Sequence, residues 1–142
     1  VCEDLWHMSL PLLQASKGAK VIIGIAVSPT RLALNSKSKV LKNYEINSEQ
    51  HKAYARLLSL YLVFCNRVGY EDGVNFWGGS EIVDPFGTVD KVAKFFDEDI
   101  ITSEINMSSV KRARQLARHF LDEDVNFLRN EVNLLHNELN KM

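Results

Sequence analysis

Residues 19–27 (AKVIIGIAV) are the stretch that most limits how this chain folds. They are almost continuously apolar and rich in β-branched side chains, and Ser28 and Pro29 follow directly. This pattern is typical of a strand that is covered on both faces of a sheet. Residues 61–68 (YLVFCNRV) repeat the pattern and predict a second buried strand. Since such strands need helices over them, we predict an α/β fold with a mixed sheet and helices on at least one face.

Helices and loops are expected around these two strands. Residues 7–17 predict a helix, with Gly18 as its C-terminal cap. Residues 30–47 are polar and lysine-rich, which predicts a long surface loop, and Ser48 starts the next helix. Residues 69–79 are rich in glycine and aromatic side chains and predict a further loop.

The C-terminal third predicts a hairpin, a strand and a helix. Residues 80–84 alternate in polarity, and the turn at residues 85–87 (PFG) joins them to a strand over residues 89–96. Residues 98–105 predict another strand, and residues 110–120 predict a helix with several basic side chains. A sheet of this size leaves one face to be covered by something outside the chain.

Residues 121–142 form a tail of a different kind. Apolar residues follow each other at alternating steps of four and three, as in the seam of a coiled coil: Leu121, Val125, Leu128, Val132, Leu135, Leu139 and Met142. Two interpretations remain open, namely an amphipathic helix on its own domain and a contact between copies in a homo-oligomer. We therefore divide the chain into a domain over residues 1–120 and a helical tail over residues 121–142.

Composition narrows the functional classes. The chain has 142 residues, enough for one domain with a core, and a net charge of −1, which favours neither nucleic acid nor an anionic membrane as partner. Its apolar runs are too short to span a bilayer. Two cysteines do not form a disulfide scaffold, so a reducing, cytoplasmic compartment is expected. The chain opens without methionine and in mid-strand, which suggests part of a longer protein.

No metal or cofactor is expected. The four histidines lack cysteine or carboxylate partners at ligand spacing, so each is predicted to be a surface residue or a satisfied core residue: His7, His51, His119 and His136. Gly78 and Gly79 precede a predicted strand and not a helix, unlike the glycines of a phosphate-binding loop.

Cys2 is the candidate nucleophile. Val1 has the character of a last strand residue, and Glu3 and Asp4 suit the first turn of a helix. A thiol at such a corner lies in the field of the helix N-terminus, which favours the reactive thiolate. The alternative is that Cys2 is simply a small buried hydrophobic residue.

Several segments together resemble the nitrilase superfamily, the carbon–nitrogen hydrolases. Residues 1–6 (VCEDLW) are similar to the nucleophile block of that family, and the strand closed by Ser28 and Pro29, with Arg31 after it, is similar to the next block. The third block is represented by three segments: residues 66–73 (NRVGYEDG), 76–80 (FWGGS) and 82–87 (IVDPFG). The blocks follow the order and spacing of the family over about residues 1–105.

This resemblance implies both a fold and a reaction. The fold is the C-terminal half of an αββα sandwich, and the partner is the N-terminal half of the same protein. The reaction is hydrolysis of a non-peptide C–N bond, in an amide or a nitrile, through a thioester on Cys2. A Glu that acts as base and a Lys that holds the oxyanion lie upstream of the cysteine in the family. The backbone N–H of Glu3 is the natural second oxyanion donor.

Other residues of these blocks have two interpretations each. Ser28 and Pro29 line the substrate pocket or merely end a strand. Phe76 and Trp77 form an apolar wall of the pocket or anchor a loop. The remaining polar and sulfur-bearing residues are expected to be structural: Asn66 and Arg67 hold loop backbone, Asp4 is a buried acceptor paired with Arg31, and Cys65 lies in the core.

Two other functions compete with hydrolysis. An N-acyltransferase uses the same thioester but passes the acyl group to an amine. A non-catalytic scaffold or regulatory protein keeps the fold with a vestigial site. The segment that precedes Val1 discriminates the scaffold from an enzyme, because a scaffold lacks a suitably placed Glu and Lys there.

Overall fold

The structure, a computed structural model, describes residues 1–30 and 41–141. Four α-helices are present among these residues: α1 (Ser9–Ser16), α2 (Lys42–Leu58), α3 (Met107–Leu116) and α4 (Val125–Leu139). Six strands accompany them: β1 (Val21–Ala26), β2 (Tyr61–Asn66), β3 (Val68–Glu71), β4 (Val74–Trp77), β5 (Glu81–Val83) and β6 (Val89–Val92). Two short 3₁₀ helices cover Cys2–Trp6 and Arg118–Phe120.

The main sheet is mixed, as predicted, with the strand order β1-β2-β5-β6. β1 and β2 are parallel, with Val21 opposite Tyr61 and Ala26 opposite Asn66. A parallel pair needs a crossover, and α2 supplies its helical part. β5 pairs antiparallel with β2, and β6 pairs antiparallel with β5. The second pair confirms the predicted hairpin around residues 85–87. β3 and β4 pair only with each other, in a separate two-stranded sheet.

The core lies on one face of the main sheet. Leu5 from the first 3₁₀ helix, Ala15 from α1 and Leu58 from α2 cluster with strand residues such as Ile22 and Phe64. Burial along β1 therefore alternates, which differs from the prediction that both faces are covered. The difference arises because the first 3₁₀ helix and α2 both contact the same face of the sheet.

The opposite face of the sheet is apolar and open. Ile23 is 66% exposed and Ile25 is 59% exposed. Their neighbours on β2 are Val63 and Cys65, which stand on the same face because the register is parallel. The expectation that something outside the chain covers one face agrees with this arrangement.

α2 begins six residues earlier than predicted. The helix starts at Lys42, and Ser48 lies inside it, where its hydroxyl group bonds a buried carboxylate instead of capping a helix end. The polarity of residues 42–47 suggested a loop, but Asn43 and Asn47 are buried. Tertiary contacts thus override the local pattern here. The rest of the predicted loop, residues 31–40, lies outside the described residues.

Residues 68–77 form a hairpin where a loop over residues 69–79 was predicted. β3 and β4 are joined at Asp72 and Gly73, which both have positive φ angles, of 49° and 79°. An Asp-Gly pair favours a two-residue turn of this kind because its backbone twist matches that of the flanking strands. The Asp72-Gly73 pair thus favoured a tight turn, but the glycine and aromatic content of the segment suggested a loop.

The predicted strand at residues 98–105 is wrong. The structure places no strand there, and β6 ends at Val92. The next regular element is α3, where the side chain of Asn106 accepts a hydrogen bond from the backbone N–H of Ser108 at 2.8 Å. Asn106 thereby acts as the N-cap of α3. Residues 98–105 alternate in polarity, but no described strand lies beside them for their backbone to pair with.

The tail is helical, as predicted, and it is largely exposed in the described part of the chain. Asp124 caps α4 by accepting from the N–H groups of Asn126 and Phe127. No residue of α4 is buried. Packing on its own domain and contact between copies both stay predictions. No described helix is both long and apolar enough to cross a membrane.

Candidate active site

An open pocket of about 440 Å³ lies where the first 3₁₀ helix, the end of β1 and the start of α2 meet. It brings together Cys2, Glu3, Ser28 and Pro29, four of the six residues predicted for the site. Five further residues line it: Trp6, Val27, Asn43, Ile46 and Asn47. The convergence follows from the fold, because the chain reaches this edge of the sheet three times.

Cys2 has an unusual backbone. Its φ is +36°, in the left-handed region that residues other than glycine rarely adopt. It is the first residue of the 3₁₀ helix, and its side chain is partly buried on the pocket wall. Strained backbone of this kind persists where the surrounding structure fixes it and is concentrated at functional sites.

The backbone of Glu3 is placed to donate a hydrogen bond beside the cysteine. The first backbone bond of the 3₁₀ helix runs from the N–H of Asp4 to the carbonyl of Val1 at 2.8 Å. In a 3₁₀ helix each N–H donates to the carbonyl three residues before it. The N–H of Glu3 comes before the first of these bonds, so it is not used within the helix. A donor adjacent to a nucleophile can stabilise negative charge that develops on the attacked group.

Asn66 fixes the backbone at the end of β1. Its Oδ1 accepts from the N–H of Ser28 at 2.9 Å, and its Nδ2 donates to the carbonyl of Gly78 at 3.0 Å. Asn66 thus holds loop backbone, in agreement with the prediction. It ties the segment after β1 to the segment after β4.

Phe76 and Trp77 lie behind the pocket wall. The buried indole of Trp77 donates from Nε1 to Ser28 Oγ at 3.2 Å. Phe76 forms an isolated β-bridge with Pro29, and the guanidinium group of Arg67 stands 4.8 Å from its ring. Within the described part of the chain neither aromatic residue lines the pocket; both support residues that do.

Asn43 and Asn47 are pocket residues that the sequence did not indicate. Asn43 Nδ2 donates to the carbonyl of Pro29 at 3.3 Å, and Asn47 Nδ2 donates to the carbonyl of Asn43 at 2.7 Å. Both were assigned to a loop. The signal that could have found them is their spacing with His51, at steps of four, which places all three on one helix face.

A buried polar cluster holds α2 against β5. His51 Nδ1 lies 2.7 Å from Glu81 Oε1, and Ser48 Oγ donates to Glu81 Oε2 at 3.0 Å. The side chains of His51 and Glu81 are 0% and 1% exposed. His51 therefore lies in the core, one of its two predicted places, but it is not fully satisfied, because its Nε2 has no hydrogen-bond partner in the described part of the chain. Burial also raises the pKa of the nearby Tyr44 above its usual value.

Two structural expectations were wrong. Cys65 is exposed, because it stands on the open face of the sheet. Asp4 is exposed rather than buried, and its carboxylate pairs with the N-terminal amine of Val1. Its expected partner Arg31 lies outside the described residues.

The site as described combines three chemical features. Cys2 places a thiol on the pocket wall, and Glu3 has a backbone N–H that the 3₁₀ helix does not use. The walls combine apolar side chains such as Val27 and Ile46 with the amides of Asn43 and Asn47. No group of three or more His, Cys, Asp and Glu side chains converges as a metal site would within residues 1–30 and 41–141. The arrangement suits covalent catalysis on a carbonyl or nitrile carbon.

Comparison with protein families gives one match that covers most of the chain. The sequence model of the family described as carbon–nitrogen hydrolase matches residues 1–115. The match includes every residue of the pocket and ends before the second 3₁₀ helix and α4.

Curated proteins with similar sequences are enzymes of greater length. A glutamine-dependent NAD(+) synthetase from Thermotoga maritima is 32% identical over 109 residues, which are 75% of this chain and 17% of that protein. An N-carbamoylputrescine amidase from Oryza sativa is 25% identical over 122 residues, 80% of this chain and 39% of that protein. The chain thus spans less than half the length of each.

A solved structure with the same fold is a carbon–nitrogen hydrolase from Helicobacter pylori. It superposes with a TM-score of 0.76 at 24% identity, over 92% of this chain and 47% of that one. The predicted fold class, an α/β partial sandwich with a mixed sheet and a C-terminal helix, is confirmed.

Proposed function

Because this chain belongs to the carbon–nitrogen hydrolase family, we propose that the complete protein hydrolyses a non-peptide C–N bond through a thioester on Cys2. The observation that carries the proposal is the left-handed backbone of Cys2, φ +36°, on the wall of an open pocket. A plain core cysteine has no need of that conformation and no access to a pocket.

The reaction proceeds in two steps. The sulfur of Cys2 attacks the carbonyl carbon of an amide, the C–N bond breaks, and the nitrogen leaves as ammonia or an amine after it takes up a proton. Water then attacks the thioester and releases the carboxylic acid and the thiol. In a nitrile the same sulfur adds to the carbon of the triple bond, one π bond breaks, and the nitrogen takes up a proton to give a thioimidate. Water then adds to that carbon and ammonia leaves, which gives the same thioester.

Protein groups stabilise the oxyanion of both steps. The N–H of Glu3 donates to the oxygen that gains negative charge when sulfur adds. The family resemblance assigns the base to a Glu and the second oxyanion contact to a Lys, both upstream of the cysteine. These two residues belong to the complete protein and are part of the proposal.

The names of the relatives suggest the kind of bond. The NAD(+) synthetase is described as glutamine-dependent, and glutamine carries a primary carboxamide. The rice enzyme is described as an amidase of N-carbamoylputrescine, which carries an N-carbamoyl group. Both are C–N bonds outside a peptide, so small carboxamides are the substrates to test first.

The test is release of ammonia from small carboxamides by the complete protein and two cysteine variants. Cys2→Ala is expected to lower kcat/KM at least about a thousandfold, since it removes the attacking atom. Cys65→Ala is the matched control and is expected to leave activity intact. Mass spectrometry during turnover should detect the acyl adduct on Cys2. Normal ammonia release by Cys2→Ala would refute the proposal.

A further inference from the structure

Asn47 presents a hydrogen-bond acceptor whose identity the structure fixes. The residue is 7% exposed and lines the pocket. One end of its carboxamide lies 2.7 Å from the carbonyl oxygen of Asn43. A carbonyl oxygen only accepts, so that end must be the NH₂ group and the other end must be Oδ1.

This acceptor has no partner among the described residues. No residue of those ranges donates to Asn47 Oδ1, while one N–H of Nδ2 donates to the backbone of α2. An acceptor in a nearly buried side chain is costly to leave unmatched when a bound molecule displaces water from the pocket. The pocket therefore favours a ligand that brings an N–H or O–H donor to this position.

Two neighbours in the pocket favour a positively charged donor. Glu3, an acidic residue, and Trp6, which is 50% exposed, are both among the residues that line the pocket. Carboxylates attract ammonium groups, and the face of an indole attracts cations through its quadrupole. Among the described residues that line the pocket, none is Lys, Arg or His.

We propose that Asn47 Oδ1 accepts a hydrogen bond from an amino group at the non-reacting end of the substrate. Asn47 is then a specificity residue, and the substrate class is a small amide that also carries a protonated amine. This inference rests on the proposed amidase function. It assigns to Asn47 a role separate from the contact of its Nδ2 with the helix backbone.

The experiment compares two amides that differ only at the far end. δ-Aminovaleramide carries an ammonium group where hexanamide carries a methyl group, so the ratio of their kcat/KM values isolates recognition of the amine. In the complete protein, Asn47→Leu is expected to lower kcat/KM for δ-aminovaleramide about tenfold to a hundredfold, the usual effect of losing a hydrogen bond to a charged group. The value for hexanamide is expected to change less than about threefold.

Two further variants separate recognition from structure. Asn47→Asp keeps an acceptor and adds charge, so it should retain or raise the preference for the amine. Ser48→Ala loosens the same helix at Glu81 without touching the pocket, and it should leave the ratio of the two substrates unchanged. An unchanged ratio in Asn47→Leu, or a lost amine preference in Asn47→Asp, would overturn the inference.

A binding measurement keeps this inference distinct from the proposed function. The complete protein with Cys2→Ala is titrated with n-butylamine by calorimetry, and adding Asn47→Leu should weaken binding at least about tenfold. Amine binding without hydrolysis of any amide would remove the amidase proposal and keep the role of Asn47. Hydrolysis of amides without any binding of the amine would remove the role of Asn47 and keep the amidase proposal.

Discussion

At the scale of residues, the two cysteines show why exposure alone is a poor guide to reactivity. Cys65 is exposed on a regular strand, whereas Cys2 is partly buried in a left-handed conformation. A thiol reacts as its thiolate, so the surroundings of the sulfur decide the rate. Cys2 lies beside an unused backbone N–H and at the start of a helix, and Cys65 has neither.

We expect Cys2 to react with iodoacetamide much faster than Cys65 in the folded 142-residue chain, where Cys65 is exposed. Peptide mapping after short exposures measures the two rates separately. The same protein in urea is the control, because both thiols should then react at similar rates. Equal rates in the folded protein would count against an activated thiolate at Cys2.

The buried cluster around Glu81 gives a second prediction at this scale. Glu81→Ala leaves His51 Nδ1 and Ser48 Oγ without their acceptor in a site that water does not reach. We expect the free energy of unfolding to fall by about 2–4 kcal/mol, because two buried donors each lose their acceptor. Ser48→Ala removes one bond and should cost only about 1 kcal/mol. Urea unfolding measures both, and equal small losses would contradict a buried anchor.

At the scale of elements, the segment after β4 supports the pocket from behind. Gly79 has a φ of +59°, and a Cβ there would lie 2.5 Å from the ring of Phe95 and 2.7 Å from that of Trp77. Trp77 in turn holds Ser28 at the pocket. Only glycine combines this conformation with so close an approach.

Gly79→Ala should therefore be costly. Left-handed strain and steric overlap with two aromatic rings together predict a loss of about 2–5 kcal/mol in the free energy of unfolding. Gly73→Ala is the matched control, because its φ is also positive, at +79°, yet no atom lies within 4 Å of the added Cβ. It should lose only about 1–2 kcal/mol. Similar losses for the two variants in thermal unfolding would contradict this prediction, because they would show that overlap with the aromatic rings adds no cost.

The apolar seam of α4 stays largely exposed in the described part of the chain. Val132 is 54% exposed and Leu135 is 55% exposed, although both belong to the heptad pattern. We propose that this seam joins two copies of the protein, since an apolar stripe at this spacing gains stability by packing against a second helix.

The prediction is that Val132→Glu lowers the mass measured by light scattering to that of a monomer. A charge in the seam would be buried without a partner in the oligomer, which disfavours association. Asn133→Glu places the same charge one residue outside the seam and should leave the mass unchanged. If deletion of residues 121–142 also left the mass unchanged, contact through α4 would be ruled out.

At the scale of the whole molecule, the open face of the sheet is the dominant feature. Ile23, Ile25 and Cys65 form an apolar surface that no element of the described chain covers. Contiguous apolar surface of this kind marks an interface. We propose that the N-terminal half of the complete protein packs on it, as the sandwich of the family implies.

This proposal predicts that the 142-residue chain alone does not release ammonia from amides. The proposed base and lysine lie in the other half, so mixing the two halves should restore activity. A mixture made with Cys2→Ala is the control for activity from contaminants. Ammonia release by the isolated chain would show that the second half is not needed.

The sequence by itself determined the α/β class with its mixed sheet, the presence of strands β1 and β2, the hairpin at residues 85–87 and the helical tail. These features depend on periodicity and on turn residues that act within a few positions of the chain. The start of α2, the burial of Asn43 and Asn47, and the partnership of His51 with Glu81 were decided by tertiary structure. A local pattern of polar side chains predicts that they are exposed to solvent. Contacts with segments distant in the chain decide that these side chains are instead buried and hydrogen-bonded. Cys2 belongs to both levels, because its block indicated a nucleophile while the left-handed turn and the pocket exist only in the fold.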